Sequence, residues 1–213
     1  MPECKSRTDP GEPKRADFRW MPRREGAVKI GLMSPLLLIV SGLPASGKTT
    51  LASHLARELR LPLVTKDEYK QLLCDGLPEL PNSAAGPLSF SLLWHGAGVT
   101  LAAGVDTLLE THFYRPQSEG EVLRLAERHH ARLAQVFCHA PLPELKARHA
   151  ARVASGVRPR IDFPFDHEDL PPSACREPLE LGDVPLLRLD TTREDAHVKA
   201  TAWVRGFLVE VQV

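Results

Sequence analysis

The chain has 213 residues, with 27 basic and 27 acidic side chains, so its formal net charge at pH 7 is zero. This length predicts one domain, with enough chain to bury a real hydrophobic core. The charge balance argues against a protein that binds duplex nucleic acid through a strongly basic surface. The cysteines are far apart and form no C-x-x-C pair, which argues against a zinc site and predicts free thiols.

Residues 1–33 hold four prolines, many charges and little apolar periodicity. We therefore predict a disordered or loosely attached N-terminal tail, followed by a single domain over residues 34–213. The apolar run that opens this domain, Leu36–Val40, is too short to span a bilayer. We predict a cytoplasmic protein without a membrane anchor.

The apolar run leads directly into a phosphate-binding loop. Residues Gly42 to Thr49 satisfy G-x-x-x-x-G-K-[ST] at every fixed position. The glycines let backbone N–H groups approach phosphate oxygens, Lys48 reaches the outer phosphates, and the Thr49 hydroxyl is placed to hold Mg²⁺. A helix follows from Lys48 and directs its positive end at the phosphates. The residues predicted to bind the nucleotide are Gly42, Leu43, Pro44, Ala45, Ser46, Gly47, Lys48, Thr49 and Thr50.

A second strand is predicted over residues 61–64, ending just before Asp67. Thr65 and Glu68 fit a helix capping box, and Asp67 is itself a good cap residue. A carboxylate at the carboxyl end of a strand beside the phosphate loop could also accept the proton of an attacking hydroxyl. The two interpretations are compatible.

The next segments alternate between connections, helices and strands. Residues 76–89 are rich in Gly, Pro, Ser and Asn and predict a mobile surface connection, followed by a helix over residues 90–103. A third strand is predicted over residues 104–113, and its Glu110 is the better candidate for the magnesium shell because the carboxyl ends of strands face the phosphates. Arg115 then opens a helix and is a candidate for binding the acceptor substrate.

The second half continues the alternation with a strand at 132–138, a helix at 143–155, a strand at 186–190 and a closing helix. Arg148 and Arg152 stand four apart, so they share a helical face. They could be ordinary surface charges, but the basic cluster at 155–160 continues them as a flexible lid would. An acidic loop at 162–169 could face a cationic or polyhydroxyl substrate, or could simply be solvated.

The ordered set of motifs resembles the small P-loop kinases often called AAA family ATPases, a group similar to polynucleotide kinase, zeta toxins and chloramphenicol phosphotransferase. Its pieces are Gly-Leu-Pro-Ala-Ser-Gly-Lys-Thr-Thr, Thr-Lys-Asp-Glu-Tyr-Lys, Leu-Leu-Glu-Thr-His-Phe, Ala-Pro-Leu-Pro-Glu-Leu-Lys-Ala-Arg-His-Ala-Ala-Arg and Arg-Leu-Asp-Thr-Thr. The resemblance implies a single P-loop kinase domain over 34–213 with the three-layer α/β P-loop NTPase fold. This fold has a parallel five-stranded sheet in the order 2-3-1-4-5, helices on both faces and an Arg-containing lid.

The resemblance also implies ATP and Mg²⁺ at the loop, Asp67 as the base, and Arg148 and Arg152 on the phosphates. Two positions depart from the pattern. Glu110 stands where many relatives carry Asp, and should still serve Mg²⁺. Lys70 stands where polynucleotide kinases carry an Arg that helps to hold the acceptor phosphate, which weakens the nucleic acid hypothesis while leaving Lys70 a candidate for acceptor binding.

The leading hypothesis is therefore a kinase that transfers the γ-phosphoryl group of ATP to a hydroxyl of a small molecule. An antibiotic, a sugar or a nucleoside would be compatible with the sequence. A 5'-hydroxyl polynucleotide kinase is the less favoured alternative, because the body of the chain is slightly acidic and has few aromatic residues for stacking bases. A nucleotide-dependent switch or ATPase without an acceptor is the third.

Overall fold

The computed structural model describes residues 34–208. The predicted tail at 1–33 lies outside the described residues. The strands are β1 (Leu36–Ser41), β2 (Leu63–Thr65), β3 (Thr107–Glu110), β4 (Arg132–His139) and β5 (Leu186–Asp190). The helices are α1 (Lys48–Leu59), α2 (Lys66–Gly76), α3 (Asn82–Ala102), α4 (Gln117–His129), α5 (Leu142–Ser155) and α6 (Ala196–Leu208), with a short 3-10 helix at His167–Asp169.

The five strands form one parallel sheet in the order β2-β3-β1-β4-β5, as predicted. β1 is buried along its whole length, and its side chains alternate between the two faces. Leu36, Leu38 and Val40 pack with α1 and α6, whereas Leu37 and Ile39 pack with α3 and α4. Helices therefore cover both faces, and β1 brings its carboxyl end to the centre of the molecule, where the strand order reverses and ligands bind in such sheets.

The connection between α2 and α3 is shorter than the sequence predicts. Residues 82–89 are helical, although the sequence predicts a surface connection over 76–89. α3 packs against α2, Ala85 and Ser89 of α3 are buried, and the Ser89 hydroxyl donates to the Gly86 carbonyl at 2.6 Å. Tertiary packing thus outweighs the poor helix propensity of Gly86 and Pro87.

Strand boundaries also differ from those predicted. β2 runs from Leu63 to Thr65, rather than over 61–64, and β3 covers only Thr107–Glu110 of the predicted 104–113. Before β3, Gly104 adopts a left-handed conformation and the Asp106 carboxylate accepts a hydrogen bond of 2.6 Å from the Leu36 N–H. Asp106 therefore fixes the start of the central strand instead of extending its neighbour.

Within residues 34–208, no helix combines the length and the apolar character needed to cross a membrane. The three cysteines of this range, Cys74, Cys138 and Cys175, are buried and free. Burial raises the pKa of both the Cys138 and the Cys175 thiol to about 12, so neither is a thiolate at neutral pH.

Candidate active site

The loop after β1 has two positions at which the backbone favours glycine. Gly42 has φ +146°, and a Cβ atom there would lie 2.3 Å from the Cys138 carbonyl oxygen. Gly47, at φ +81°, sits against the Thr191 side chain, which would be 3.2 Å from an added Cβ. The Thr191 hydroxyl donates to the Ser46 carbonyl at 2.8 Å and so ties the loop to the end of β5. These contacts hold the loop in a tight turn over the carboxyl ends of the strands.

The N-terminus of α1 is free to bind an anion. Gly47 supplies no side-chain cap, and the first turn contains no acidic residue. The first N–H groups of a helix lack partners within it and carry partial positive charge. α2 differs, because the Thr65 hydroxyl accepts from the Glu68 N–H at 3.2 Å and two acids occupy its first turn. The residues around α1 therefore fit the phosphates of a nucleotide.

Lys48, Thr49 and Glu110 meet beside this helix end. Glu110 ends β3 directly next to Val40 of β1. Its carboxylate accepts from the Thr49 hydroxyl at 3.2 Å and lies 3.9 Å from Lys48 Nζ. Burial raises the pKa of Glu110, and the Lys48 charge partly opposes that shift. This pair of oxygen ligands could hold Mg²⁺, which usually takes one or two carboxylates together with substrate phosphates.

Arg148 and Arg152 of α5 face the same loop. Together with loop and α1 residues they line a cavity of about 170 Å³, which we call the small cavity; its other lining residues are Ala45, Gly47, Lys48, Thr49 and Thr50. Arg148 donates to the Thr191 hydroxyl at 3.1 Å and to Glu144 at 2.6 Å. The prediction that the two arginines share a face holds, and that face is turned toward the phosphate loop.

A second cavity of about 520 Å³, the large cavity, adjoins the small one, and Lys48 and Arg152 line both. Asp67 lines the large cavity from the first turn of α2. Its carboxylate pairs with Lys66 Nζ at 3.2 Å. Burial alone would raise the pKa of Asp67, but Lys66 and Lys48 outweigh that effect and bring the pKa down to about 2. Asp67 is therefore ionised at physiological pH.

The walls of the large cavity come from segments far apart in the sequence. α2 and α3 supply Lys66, Lys70, Gly86, Pro87 and Phe90; the segment after β3 supplies His112 and Tyr114; the lid segment, residues 155–170, supplies Ile161, Asp162, Phe163, Phe165 and Leu170. His112 Nε2 and the Tyr114 hydroxyl are 2.7 Å apart. Burial, together with Lys48 and Lys66, lowers the pKa of His112 to about 3, which keeps this imidazole neutral.

Three of the four acidic residues of the lid segment form ion pairs within the protein. Asp162 is buried and pairs with Arg152 at 2.9 Å and with Arg158 at 3.0 Å. Asp166 and Glu168 both pair with Lys146 on α5. Each predicted alternative fits part of the loop, because Asp162 lines the large cavity whereas the side chains of Asp166 and Glu168 remain 44% and 67% exposed. In addition, these carboxylates fasten the lid segment to α5.

His167, in the same segment, is fully buried, and its Nε2 lies 2.9 Å from the Pro44 carbonyl oxygen of the phosphate loop. The lid segment therefore contacts both α5 and the phosphate loop. Arg160 also donates to the Cys74 carbonyl of α2 at 2.9 Å, so the lid segment contacts α2 as well.

The sequence profile of the AAA_33 family, an AAA domain, matches residues 37–169, more than half of the chain. The chain belongs to this family. A candidate kinase from Chloroflexus aurantiacus j-10-fl is 32% identical, with a TM-score of 0.73 and coverage of 82% of this chain and 98% of that chain. The predicted membership of the small P-loop kinase group, and the predicted fold, are thereby confirmed.

The fold of this AAA domain also occurs in more distant proteins. The Mycobacterium tuberculosis APS kinase CysC, in a complex with AMPPNP and APS, is 20% identical with a TM-score of 0.55 and coverage of 82% of this chain and 98% of that chain. APE1195 is 19% identical with a TM-score of 0.58, covering 84% and 97%. No curated protein matches the chain significantly.

One predicted site residue of the AAA domain lies away from the others. Arg115 donates to Glu119 at 2.7 Å and pairs with Glu180. It lines a third cavity of about 620 Å³, which exceeds the large cavity in volume, together with Pro116, Glu119, Pro172, Ser173 and Glu180. Asp67 and Lys70 line the large cavity instead. The structure therefore brings together Lys48, Asp67, Lys70, Arg148, Arg152, Thr49 and Glu110, but not Arg115.

Several residues at the large cavity were missed from the sequence. Lys66 stands beside Asp67, and a lysine next to a candidate catalytic acid is a usable signal. Phe163 and Phe165 interrupt the acidic loop, which could have marked them as part of a wall. His112 lies within the Leu-Leu-Glu-Thr-His-Phe motif, two residues after Glu110, which is also a usable signal. Phe90 and Tyr114 carried no distinguishing local pattern.

Proposed function

We propose that this AAA domain is an ATP-dependent kinase that transfers the γ-phosphoryl group of ATP to a hydroxyl of a small-molecule acceptor. The observation that supports this most is the pair of adjoining cavities, which share Lys48 and Arg152. The small cavity fits the phosphates of ATP, and the large cavity, which contains Asp67, fits the acceptor. The transferred group would thus pass between two cations that reach both substrates.

The reaction would proceed as an in-line displacement. The acceptor oxygen forms a bond to the γ-phosphorus, the bond between this phosphorus and the bridging oxygen to the β-phosphate breaks, and ADP leaves. Asp67 accepts the hydroxyl proton. A carboxylate with a pKa of about 2 is a weak base. Asp67 therefore orients the hydroxyl and takes the proton only as the new P–O bond forms.

Thr49 and Glu110 are the residues that would hold Mg²⁺ beside the β- and γ-phosphates. When bound, Mg²⁺ would neutralise charge that develops on the phosphate oxygens. No cluster of three His, Cys, Asp or Glu side chains with metal-binding geometry occurs in the described part of the chain. A site completed by nucleotide phosphates agrees with this, because Mg²⁺ seldom uses an all-protein cage.

The large cavity supports a small acceptor over a nucleic acid strand. Its volume of about 520 Å³ lies within the range of small-molecule sites. Residues of α2, α3, α5 and the lid segment line it. A single-strand channel would instead need a basic groove that follows the nucleic acid backbone.

The test is a panel of sugars, nucleosides, hydroxy acids and hydroxyl-containing antibiotics, incubated with the full chain, ATP and Mg²⁺. Mass spectrometry would detect an acceptor that gains one phosphoryl group. Lys48→Ala is the matched inactive control and should lose product formation about 10²- to 10³-fold. ATP hydrolysis that depends on a protein partner, with no phosphorylated acceptor, would contradict the proposal.

A further inference from the structure

The two arginines of α5 that reach the small cavity are held by different parts of the chain. Arg148 donates to Glu144, one turn earlier on the same helix, at 2.6 Å, and to the Thr191 hydroxyl at 3.1 Å. Arg152 cannot be held in the same way, because no acidic residue lies one turn before or after it on α5. Its carboxylate partner is Asp162, which belongs to the lid segment.

Asp162 is a buried carboxylate that two arginines share. Its side chain is only 4% exposed, and one of its oxygens lies 2.9 Å from Arg152 Nε. Both of its oxygens accept hydrogen bonds from Arg158, at 3.0 and 3.3 Å. The contact with Arg152 involves Nε, the guanidinium nitrogen nearest the main chain. The two terminal nitrogens of Arg152 make no hydrogen bond within residues 34–208, so they are available for phosphate oxygens.

The position of Asp162 depends in turn on Arg160. The Arg160 guanidinium donates to three backbone carbonyls, those of Cys74 at 2.9 Å, Pro78 at 3.3 Å and Leu80. These carbonyls lie at the end of α2 and in the connection to α3. The Asp162 N–H donates to the Arg158 carbonyl at 2.8 Å, so a tight turn joins the residue that contacts α2 to the residue that contacts Arg152.

Arg152 lies where donor and acceptor would meet. It lines both cavities, and Asp162 lines the large one. During transfer, negative charge is spread over the equatorial oxygens of the phosphoryl group, and a cation at the boundary of the two cavities would stabilise it. A long arginine side chain does this best when it is already oriented, because ordering it during the reaction costs conformational entropy. A buried carboxylate at Nε provides that order.

We propose that Asp162 is a positioning residue for phosphoryl transfer, which holds Arg152 in the orientation that stabilises the transferring group, while Arg160 fixes Asp162 by fastening the lid segment to α2. This inference rests on the proposed kinase function. Lys48 and the phosphate loop bind ATP without Asp162. Because α2 also carries Asp67, the contact made by Arg160 sets the arginine and the proposed base relative to each other.

The first experiment removes the charge of Asp162. With an acceptor from the panel, Asp162→Asn should lower kcat about 10- to 100-fold, as expected when a charged hydrogen bond in the transition state is lost. The KM for ATP should stay within about threefold of the wild type, since the small cavity keeps its other residues. Asp169→Asn is the matched control, because Asp169 is exposed, lies in the same segment and lines neither cavity. A wild-type kcat in Asp162→Asn would overturn the proposal.

A double-mutant cycle tests whether Asp162 acts through Arg152. If it does, Asp162→Asn should cause no further loss of kcat in a protein that already carries Arg152→Ala, whereas independent losses would multiply. A merely structural role would not produce this non-additivity. Losses that multiply would show that Asp162 acts elsewhere and would contradict the proposal.

Two further variants keep the test valid if Asp162→Asn folds poorly. Arg158→Met removes the other arginine, so it should lower the melting temperature but keep kcat, because the contact between Asp162 and Arg152 remains. Arg160→Met, at a residue that lines neither cavity, should lower kcat, and this effect should also disappear in Arg152→Ala. Equal losses of kcat in Arg158→Met and Arg160→Met would assign the cluster a structural role and would overturn the proposal.

A binding assay separates failure of this inference from failure of the kinase function. The probe is ADP with Mg²⁺ and aluminium fluoride, which takes the place of the transferring phosphoryl group and needs no acceptor. Calorimetry should show that aluminium fluoride raises the affinity for ADP in the wild type and in Asp169→Asn, but about 10-fold less in Asp162→Asn and in Arg152→Ala. The affinity for ADP alone should be the same in all four proteins.

This pattern would support the positioning role even if no tested acceptor is phosphorylated, a result that would count against the kinase function alone. An equal effect of aluminium fluoride in Asp162→Asn and the wild type would overturn the positioning role, even if an acceptor is found. No effect in the wild type would count against both proposals.

Discussion

The small and large cavities are built in different ways. Most of the small cavity comes from one continuous stretch, the phosphate loop and the start of α1, and α5 adds two arginines. The large cavity combines α2, α3, the segment after β3, α5 and the lid segment. The donor half of the proposed site therefore depends on local backbone geometry, while the acceptor half depends on side chains that only the complete fold brings together.

The largest expected effect tests the acceptor half. Asp67→Asn should lower kcat by about 10²- to 10⁴-fold, because the amide cannot accept the hydroxyl proton. The affinity for ATP should be unchanged, since the small cavity is left intact. Single-turnover kinetics with an acceptor from the panel, and calorimetry with a non-hydrolysable ATP analogue, measure the two quantities separately.

Asp183→Asn is a matched control, because Asp183 is exposed and lines neither cavity. It should retain the wild-type kcat. If Asp67→Asn also retains the wild-type kcat, Asp67 has no part in the reaction. The assignment of the acceptor to the large cavity is then wrong.

The shared arginine offers a way to separate the two halves. Arg152 lines both cavities, whereas Arg148 lines only the small one. Loss of a hydrogen bond to a charged group costs about 1.5–3 kcal/mol, or about 10- to 150-fold. We expect Arg152→Ala to weaken kcat/KM by this factor for both substrates. Arg148→Ala should affect ATP alone.

Initial-rate kinetics with each substrate varied in turn would measure these effects. An unchanged KM for the acceptor in Arg152→Ala would show that the two cavities do not share this residue during turnover. The Asp162–Arg152 ion pair of 2.9 Å would then be only a structural contact.

The rigidity of the donor half is tested by its first glycine. In Gly42→Ala the new Cβ would meet the Cys138 carbonyl at 2.3 Å, in a backbone conformation that side chains rarely adopt. We expect a loss of at least about 1–3 kcal/mol in the free energy of unfolding, together with weaker nucleotide binding.

Gly206→Ala provides the comparison, because nothing lies within 4 Å of a Cβ at that position in α6. It should gain about 0.5–1 kcal/mol from helix propensity. Urea unfolding of both variants measures the difference, and equal stabilities would contradict the tight geometry described for the phosphate loop.

The donor half, built from consecutive residues, could be predicted from the sequence better than the acceptor half, which the complete fold assembles. The phosphate loop and the helix after it could be predicted from the spacing of Gly42 to Thr49 and from the apolar run before it. Such a backbone motif depends only on consecutive residues. The alternation of strands and helices predicted the parallel sheet. Glu110 and Asp67 were predicted as site residues because both stand near the carboxyl ends of strands.

The acceptor side was less predictable for physical reasons. No local pattern reveals that Phe90 and Phe163 line one cavity, since they are brought together by packing. The helical start of α3 was missed because burial of Ala85 and Ser89 outweighs the composition around Pro87. Arg115 was chosen by its position after β3, but the chain turns so that its guanidinium meets Glu119 and Glu180.

The smallest effect concerns the charge balance inside the large cavity. Lys66 is the closest cation to Asp67 and a main reason why the pKa of Asp67 falls to about 2. In Lys66→Met, only Lys48 remains as the main cation that opposes the effect of burial on Asp67. The pKa of Asp67 should therefore rise toward or above its ordinary value of 3.8. Because the ionised carboxylate is the active form, the acidic limb of the kcat/KM profile should move to higher pH.

Stability should follow the same sign. A folded-state pKa below the unfolded value stabilises the protein above about pH 4, and this contribution is lost as the pH falls toward 2. Lys66→Met should therefore reduce the dependence of unfolding on acid pH, while the exposed Lys199→Met should not. Profiles of kcat/KM and of urea unfolding between pH 2 and 6 measure both effects against the wild type. If the acidic limb does not move in Lys66→Met, Lys48 is the residue that keeps Asp67 ionised. Because Lys48 lines both cavities, the same charge would then act on the donor half and on the acceptor half of the site.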